Sequence, residues 1–395
     1  MPRRASPVSV GGPALEDARF MRRALVLAER GWGQVAPNPM VGALVVRDGR
    51  VVGEGYHAQF GRDHAERVAL GKAGSDARGS TMYVTLEPCA HVGKTQPCTD
   101  ALIQAGVKRV VIATRDTHPV AAGGAEVLRA AGITVEFGVG ETEARELNAP
   151  FFHSLNADRP WVTLKLAISI DGAVADHTRK GGWLTGVKSR AEVHRLRAQH
   201  DAVGVGMGTV RADDPALTVR DAKTPRVHPL RVVFSRSGRL PLTSVLARSA
   251  ADFPVLVIAQ EPDSAYENTL HSLGVELVQA LTLTDALREL RARGVQSILV
   301  EGGARLAGAL LFDRLVDRLV VFTAPVVLGA GALNAFLLAP AQRAEQAVRM
   351  RVVRRAEFGH DLMTVYALEA PTDLSKDVSQ NVPRDVPQDG PKDAA

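Results

Sequence analysis

Two stretches of sequence decide how the first half of this chain folds: HAE at residues 64–66 and TLEPCAHVGKTQPC at residues 85–98. They contain His64 and the only two cysteines of the chain, Cys89 and Cys98. One imidazole and two thiolates are three ligands for Zn²⁺, and they leave its fourth tetrahedral position open for water. A structural zinc site needs a fourth protein ligand, so the pattern predicts a catalytic site in which Glu66 takes a proton from that water.

The same residues match the signature of the zinc deaminases, His-x-Glu followed by Pro-Cys-x-x-Cys, although the second cysteine lies further along this chain. Glu66 would then deliver its proton to a leaving amine. Two other interpretations stay open: His64 and the cysteines are ordinary packing residues, or the cysteines form a disulfide. A strand at 82–86 that runs into Pro88 further predicts that Cys89 begins a helix, whose N–H groups and dipole favour a thiolate.

The length of the chain, 395 residues, is that of two domains, and its 46% hydrophobic and 23% charged composition is that of a globular protein. The tripeptide at 158–160, Asp-Arg-Pro, separates two α/β patterns and is the predicted linker. We expect a disordered arm at residues 1–13, a first domain at 14–157, a second domain at 158–369 and a disordered tail at 370–395.

Both halves alternate helical and strand patterns, which is typical of layered α/β domains. The apolar segments 41–46 and 51–55 flank Asp48 and Gly49, a dipeptide typical of a hairpin turn. We expect helices at residues 15–28, 99–104, 126–131, 190–199 and 285–293, and further strands at 82–86, 107–113, 134–137, 161–167, 202–205, 231–234, 255–259 and 297–300.

A second candidate site follows the predicted strand 297–300, where residues 301–303, Glu-Gly-Gly, indicate a turn into a helix. Two glycines leave the N–H groups at the helix start accessible to a phosphate, and Arg305 adds positive charge. The glycines within 204–208 lack the spacing of the dinucleotide-binding fingerprint, so they indicate close backbone packing as readily as a ligand site. The turn at residue 301 is therefore the better candidate for a nucleotide site.

Further motifs in the first half are PNPMVG at 37–42 and GYH at 55–57, ahead of HAE and the long cysteine stretch. In this order they resemble the family of bifunctional riboflavin-biosynthesis deaminase–reductases, which shares the wide cysteine spacing. The resemblance implies a cytidine-deaminase-like α/β/α sandwich that removes the pyrimidine amine of 2,5-diamino-6-ribosylamino-4(3H)-pyrimidinone 5′-phosphate. It also implies zinc ligands at His64, Cys89 and Cys98, a proton shuttle at Glu66, and substrate contacts at Asn38, His57 and Lys94.

The second half contains LKLAISIDG at 164–172, WLT at 183–185 and GTVRADDPALTVR at 208–220. With the turn at residue 301, these motifs resemble the reductase domain of the same family. The resemblance implies a dihydrofolate-reductase-like α/β domain that uses NADPH to convert the ribosylamino sugar to a ribitylamino group. It implies NADPH contacts at Ala167, Trp183, Thr209, Asp213, Gly303, Ala304, Arg305, Leu306, Ala307, Gly308 and Ala309. It implies substrate contacts at Arg197, Leu217, Arg220 and Glu301, with the two arginines forming a fork for the phosphate.

The chain departs from this family's pattern at several positions. Val68 stands where many relatives have a second histidine, and His118 lies in Asp-Thr-His-Pro instead of the more usual Asp-Pro-Asn-Pro. Gly181 stands in place of a substrate-binding serine, and Ser235 and Arg236 replace a typical Asp-Ser pair. These positions bear on the substrate and cofactor contacts and leave the predicted metal ligands unchanged.

The composition argues against membrane and nucleic-acid proteins. No apolar run approaches the length of a membrane span, and no hydrophobic stretch follows Arg3 and Arg4, so we expect a cytoplasmic protein. A net charge of +5 without basic clusters, together with 5% aromatic residues, argues against a base-stacking surface. The expected partner is a small phosphorylated pyrimidine, with no nucleic acid and no membrane, and homo-oligomerisation is left open.

Two other functions stay open for this sequence. A zinc deaminase of another nucleobase or nucleoside, with a degenerate second domain, would use the same metal chemistry but would leave the turn at residue 301 without a role. A zinc-stabilised binding protein without enzyme activity would have no use for Glu66 and would need a fourth metal ligand.

Overall fold

The computed structural model describes residues 13–91, 96–118, 122–179, 182–337, 343 and 347–368. The predicted tail lies outside the described residues, and so does the predicted arm, except for Pro13, the first residue of a helix. None of the described helices has both the length and the apolar character that crossing a membrane requires.

In its described residues, the first half forms a five-stranded sheet with six α-helices and two short 3₁₀ helices, Glu29–Gly31 and Gly74–Ala77. Its strands are β1 (Gly42–Arg47), β2 (Arg50–Tyr56), β3 (Thr81–Leu86), β4 (Arg109–Thr114) and β5 (Thr134–Phe137). Its helices are α1 (Pro13–Ala28), α2 (Ala65–Ala73), α3 (Cys98–Ala105), α4 (Gly124–Ala130), α5 (Glu141–Leu147) and α6 (Ala149–Ser154). The strand order is β2-β1-β3-β4-β5, in which β1 is antiparallel to both neighbours and β3, β4 and β5 are parallel.

The two faces of this sheet pack into separate cores, because successive side chains of a strand point in opposite directions. On β3, Val84 packs in one core with Ala69 of α2 and Leu102 of α3. Its neighbour Tyr83 packs in the other core with Met21 of α1. Helices therefore cover both faces, and the predicted α/β/α sandwich is confirmed.

The predicted hairpin is also confirmed. β1 and β2 pair up to Arg47 and Arg50, and only Asp48 and Gly49 lie between them. Both residues have positive φ angles, 51° and 72°, as a two-residue turn of the type that suits twisted strands requires. The turn fixes the pairing that brings Gly42 and Tyr56 side by side.

The second half forms a nine-stranded sheet and a separate strand pair. Its strands are β6 (Trp161–Ile168), β7 (Ala173–Ala175), β8 (Ala202–Gly206), β9 (Leu230–Ser235), β10 (Val255–Ala259), β11 (Val275–Gln279), β12 (Ser297–Glu301), β13 (Arg318–Thr323), β14 (Leu333–Asn334), β15 (Met350–Phe358) and β16 (Asp361–Leu368). Its helices are α7 (Val187–Ala198), α8 (Met207–Asp213), α9 (Val245–Arg248), α10 (Ser264–Ser272), α11 (Leu283–Ala292) and α12 (Ala304–Phe312).

The large sheet has the order β11-β10-β9-β8-β12-β6-β13-β16-β15, and β7 pairs with β14. From β11 to β13 every neighbouring pair is parallel, while β16 is antiparallel to β13 and to β15. The carboxyl ends of β8, β12 and β6 therefore lie side by side at one edge, which is where ligands bind in open parallel sheets. The sequence patterns predicted these three strands but missed β11, β13, β15 and β16.

The segment between the two sheets is held by ion pairs. After α6 ends at Ser154 and before β6 begins at Trp161, Arg159 donates to both carboxylate oxygens of Asp317, at 2.5 and 2.8 Å. Asp158 accepts a hydrogen bond from Arg288 of α11 at 2.7 Å. The predicted boundary at residue 158 lies within this connection.

Candidate functional sites

Three side chains of the first half converge on a single point. His64 immediately precedes α2, Cys89 lies in the loop after β3, and Cys98 is the first residue of α3. The Nδ1 atom of His64 lies 3.6 Å from the Cys89 sulfur and 3.4 Å from the Cys98 sulfur. The three donor atoms lie within 4.8 Å of one another, the one such group of His, Cys, Asp or Glu in the described part of the chain. The spacing suits a single ion held by three protein ligands.

The prediction that Cys89 begins a helix is wrong. Residues 87–90 form no regular structure, and Cys98 begins the helix instead. The cause is Glu87, whose buried carboxylate accepts the N–H groups of Asp116 at 3.2 Å and Ala125 at 3.0 Å. These bonds tie the loop to the end of β4 and the start of α4, and the proline that follows Glu87 disfavours a helical turn. The helix N-termini at the metal-binding group are therefore those of α2, which follows His64, and of α3, which begins at Cys98.

Hydrogen bonds among the two thiols and the imidazole of this group shift the pKa of each. Hydrogen bonds from Cys98 and His64 lower the pKa of the Cys89 thiol to about 4. The pKa of Cys98 is raised, because its thiol donates to Cys89 and is buried. The hydrogen bond to Cys89 also raises the pKa of His64. A bound divalent cation would replace these protons, since thiolate and neutral imidazole are the forms that ligate metals.

Glu66 lies in the first turn of α2, two residues after His64, and is only 3% exposed. Burial raises the pKa of its carboxyl, although the neighbouring His64 opposes the shift. A carboxyl group with a raised pKa is suited to take up and release a proton near neutral pH. The arrangement therefore places a candidate proton carrier beside the metal-binding group.

Asn38 and His57 face the same cavity, which has a volume of about 280 Å³ and is also lined by His64, Glu66 and Cys89. The His57 Nδ1 atom lies 3.2 Å from the Asp63 carbonyl oxygen and must donate to it. Its Nε2 atom therefore accepts a hydrogen bond from the Asn38 amide at 3.3 Å. Burial lowers the pKa of His57, so its imidazole stays neutral.

His91 was not identified from the sequence, but it lines the same cavity two residues after Cys89. Its Nδ1 atom is buried and has no hydrogen-bond partner among the described residues. An unpaired polar atom facing a cavity is costly unless a ligand satisfies it. Its position inside the cysteine stretch was the available signal. His118 also lines the cavity, whereas Lys94 lies outside the described residues.

The second candidate site lies at the carboxyl edge of the large sheet. Ala167 is near the end of β6, and Thr209 lies on α8, which directly follows β8. The turn after β12 reaches the same edge, because the Gly302 N–H donates to the Lys165 carbonyl of β6 at 3.1 Å. The structure thus brings three of the expected NADPH-binding segments together.

The turn after β12 depends on its two glycines, which have positive φ angles of 55° and 79°. A Cβ atom on Gly303 would lie 3.0 Å from the Thr209 hydroxyl oxygen. No side chain caps α12, which begins at Ala304, so its first N–H groups are available to an anion. Along the rest of the predicted run, Ala307 and Gly308 are buried against the sheet, Arg305 is exposed, and Leu306 and Ala309 are half-buried.

Two further expected NADPH contacts lie outside this turn. Trp183 is 79% exposed, so it is not a core residue, and the Arg190 guanidinium lies 4.9 Å from its ring centroid. Asp213 is the last residue of α8, and burial raises the pKa of its carboxyl. Of the departures from the family pattern, Ser235 ends β9 at the same sheet edge, and Gly181 lies outside the described residues.

Of the two arginines expected to form a fork for the phosphate, Arg197 is engaged in an ion pair. Arg197 donates to both oxygens of Glu301, at 2.5 and 2.9 Å, and also to the Thr218 carbonyl at 2.9 Å. Its guanidinium is thus occupied by a buried ion pair. Leu217 is buried with a φ angle of 53°, and the Arg220 N–H donates to His194 Nδ1 at 3.1 Å. Among the described residues, no carboxylate lies within 4.0 Å of the Arg220 guanidinium, which leaves it available to an anion.

Lys165 was not identified from the sequence; it is half-buried on β6 beside the ion pair of Arg197 and Glu301. Burial lowers the pKa of its ammonium group, whereas Glu301 opposes that shift. A lysine between Leu164 and Leu166 in a strand buried on both faces is unusual, and that was the available signal. A half-buried lysine with a lowered pKa near the sheet edge is a candidate for proton transfer.

Comparison with known proteins agrees with this two-part organisation. Residues 15–114 match the family described as "Cytidine and deoxycytidylate deaminase zinc-binding region", and residues 160–364 match "RibD C-terminal domain". The chain is 40% identical over 351 residues to "Riboflavin biosynthesis protein RibD" of Aquifex aeolicus (strain VF5), covering 89% of this chain and 98% of that protein.

Two solved structures resemble the chain over most of its length. One is "Acinetobacter baumannii RibD, form 1", with a TM-score of 0.78 and 37% identity, covering 90% of this chain and 100% of that one. The other is a diaminohydroxyphosphoribosylaminopyrimidine deaminase/5-amino-6-(5-phosphoribosylamino)uracil reductase from Thermotoga maritima. Its TM-score is 0.78 and its identity 36%, covering 90% of this chain and 99% of that one.

Proposed function

The chain belongs to the RibD family of riboflavin-biosynthesis enzymes, with a deaminase and a reductase domain, and we propose that its two sites act in turn on one phosphorylated pyrimidine. The first domain hydrolyses the amine of 2,5-diamino-6-ribosylamino-4(3H)-pyrimidinone 5′-phosphate. The second reduces the ribosyl group to a ribityl group at the expense of NADPH. The single observation that carries the proposal is the meeting of His64, Cys89 and Cys98 within 4.8 Å of one another, at a cavity that Glu66 also lines.

In the deaminase site, His64, Cys89 and Cys98 would hold Zn²⁺, which suits one imidazole and two thiolates and supplies an activated water as nucleophile. Glu66 carries the proton: its carboxylate accepts one from the attacking water and its carboxylic acid donates one to the departing amine. A C–N bond breaks, a C–O bond forms and ammonia leaves. No electrons are transferred in this step.

Asn38 and His57 orient the pyrimidine in this cavity. The His57 ring is held by the Asp63 carbonyl, and the Asn38 amide is held by His57, so the Asn38 side chain is fixed before substrate arrives. The unpaired Nδ1 atom of His91 adds a polar contact on the same cavity wall. A preorganised pair of this kind lowers the entropy cost of positioning the ring.

In the reductase site, the turn at Gly302 and Gly303 and the start of α12 would hold the phosphates of NADPH, whose nicotinamide supplies the hydride. The absence of side chains at the turn and the uncapped helix suit that role. Arg220 binds the substrate phosphate, while Arg197 fixes the carboxylate of Glu301 and the Thr218 carbonyl beside it. Lys165 is the candidate donor of the proton that accompanies hydride transfer, since the reduced sugar gains one of each.

The test is to incubate the zinc-loaded chain with the diaminopyrimidine, with and without NADPH, and to follow ammonia and NADPH separately. We expect ammonia release in both cases and NADPH oxidation only after deamination. Zinc removal should stop ammonia release yet leave reduction of the deaminated compound intact. Ammonia release from a different nucleobase, without NADPH oxidation on any pyrimidine phosphate, would overturn the proposal in favour of a deaminase with a degenerate second domain.

A further inference from the structure

Two backbone segments of the first domain form walls of the deaminase cavity, and both are held by the second domain. The first wall, residues 33–39, ends in Asn38 and Pro39, which line the cavity. The second wall, residues 151–155, contributes Phe151. By contrast, the hydrogen bonds that join His64 to the two cysteines stay within the first domain.

Arg226 of the second domain holds the first wall. Its backbone N–H donates to the Gly33 carbonyl at 2.9 Å, and its guanidinium donates to the Ala36 carbonyl at 2.7 Å. The same guanidinium lies 5.2 Å from the ring centroid of Phe60, another residue that lines the cavity. Two residues before Arg226, the Thr224 carbonyl accepts a hydrogen bond from the Gln34 side-chain amide at 2.9 Å. Three hydrogen bonds therefore join residues 224–226 to the first wall, and a fourth contact joins Arg226 to Phe60 of the cavity lining.

The close approach of the two domains at this wall leaves no room for a side chain on Gly33. A Cβ atom there would lie 2.5 Å from the Ala198 carbonyl oxygen at the end of α7. The φ angle of Gly33, 70°, likewise requires glycine. The first wall therefore packs closely against the end of α7 in the second domain, and this contact requires glycine at position 33.

Arg291 of α11 holds the second wall by donating to the Ser154 carbonyl at 2.9 Å. A second cavity of about 390 Å³ lies between the domains, lined by Arg291 and Gln296 on one side and by Asn38, Phe151 and His118 on the other. Those last three residues also line the deaminase cavity. The second domain therefore borders a cavity that shares three lining residues with the one in which the pyrimidine is proposed to bind.

We propose that Arg226 and Arg291 are positioning residues for the deaminase: they hold the two cavity walls in the geometry that binds substrate, while the metal centre forms without them. This inference rests on the proposed deaminase function. It makes substrate affinity of the first domain dependent on contacts from the second, and it leaves the chemical step to residues of the first domain alone.

The test uses the full zinc-loaded chain with Arg226→Ala, Arg291→Ala and the double variant. Each single substitution should raise the deaminase KM about three- to tenfold, because it frees a wall segment without removing a group that contacts the reacting atoms. The deaminase kcat should stay within about twofold of wild type, with one zinc per chain. The two effects should multiply in the double variant, because the arginines hold different walls and share no partner.

Arg288→Ala is the matched control. Arg288 lies on the same helix as Arg291 and pairs with Asp158 in the connection between the two sheets, but among the described residues it makes no hydrogen bond or ion pair with either wall. Its deaminase KM should equal that of wild type. Arg226→Lys should restore part of the lost affinity, since a lysine can still donate to the Ala36 carbonyl. The reductase KM for the deaminated compound serves as the internal reference in every variant.

Three results would overturn the inference. The first is a deaminase KM in both single variants equal to that of Arg288→Ala. The second is a raised KM together with a lowered kcat and a lowered zinc content, which would indicate general unfolding of the first domain. The third is an equal change in the reductase KM. Failure of the wild-type chain to release ammonia from the diaminopyrimidine would instead refute the proposed deaminase function.

Discussion

The two candidate sites are built from different materials. The deaminase site consists of side chains that converge: His64, Cys89 and Cys98 meet within 4.8 Å, and Glu66 is buried beside them. The reductase site consists mainly of backbone, with a glycine turn and an uncapped helix at the edge of a parallel sheet. A site made of rare side chains therefore depends on a few residues, whereas a site made of backbone depends on the positions of whole helices and strands.

The largest expected effect concerns the side-chain site. Glu66→Gln keeps the shape of the side chain but removes the proton carrier, so deamination should fall by at least about 10²-fold. Zinc content should be unchanged, because Glu66 is not one of the three converging ligands. The measurement is ammonia release per zinc-loaded chain, with the reductase rate of the same preparation as control. Deaminase turnover within a few-fold of wild type would remove Glu66 from the mechanism.

An intermediate effect is expected for Arg220→Ala in the reductase site. The substitution removes a charge-assisted contact to the phosphate worth about 1.5–3 kcal/mol, so the reductase KM should rise about ten- to 150-fold. The NADPH dissociation constant and the deaminase rate should not change. Arg239→Ala, which removes an exposed arginine paired with Asp263, is the control. Weaker NADPH binding with a normal substrate KM would assign Arg220 to the cofactor.

The smallest expected effect concerns the backbone site. Gly303→Ala places a methyl group 3.0 Å from the Thr209 hydroxyl and strains a backbone with a φ angle of 79°. Displacing the turn should cost about one charge-assisted hydrogen bond to a phosphate, or about tenfold in NADPH affinity.

The matched control is Gly294→Ala, at a positive φ angle of 86° with open space around the added atom. Gly294→Ala should lower the free energy of unfolding by about 1 kcal/mol, as Gly303→Ala does, without affecting NADPH binding. Equal NADPH affinities in the two variants would show that the turn at Gly303 does not contact the cofactor. The measurements are NADPH titration and thermal unfolding of both variants.

The sequence was sufficient for the side-chain site because its chemistry is unusual. The chain has only two cysteines, and together with the His-x-Glu motif they predict one metal site. The structure brings His64, Glu66, Cys89 and Cys98 together. The hairpin at Asp48 and Gly49 was equally predictable, because the type of a two-residue turn with positive φ angles is determined by those two residues. Local signals of this kind do not depend on the rest of the fold.

Long-range contacts were decided by the packing of whole elements. Arg197 and Glu301 are 104 residues apart and meet because β12 ends beside α7, so no local pattern could reveal that the arginine is already paired. Glu87 prevents Cys89 from starting a helix through bonds to Asp116 and Ala125, which lie 29 and 38 residues further along the chain. Arg226 and Arg291 reach the deaminase walls only because the two sheets are docked. Composition and spacing specify which groups a chain possesses, but the free energy of burying its sheets and helices determines which groups meet.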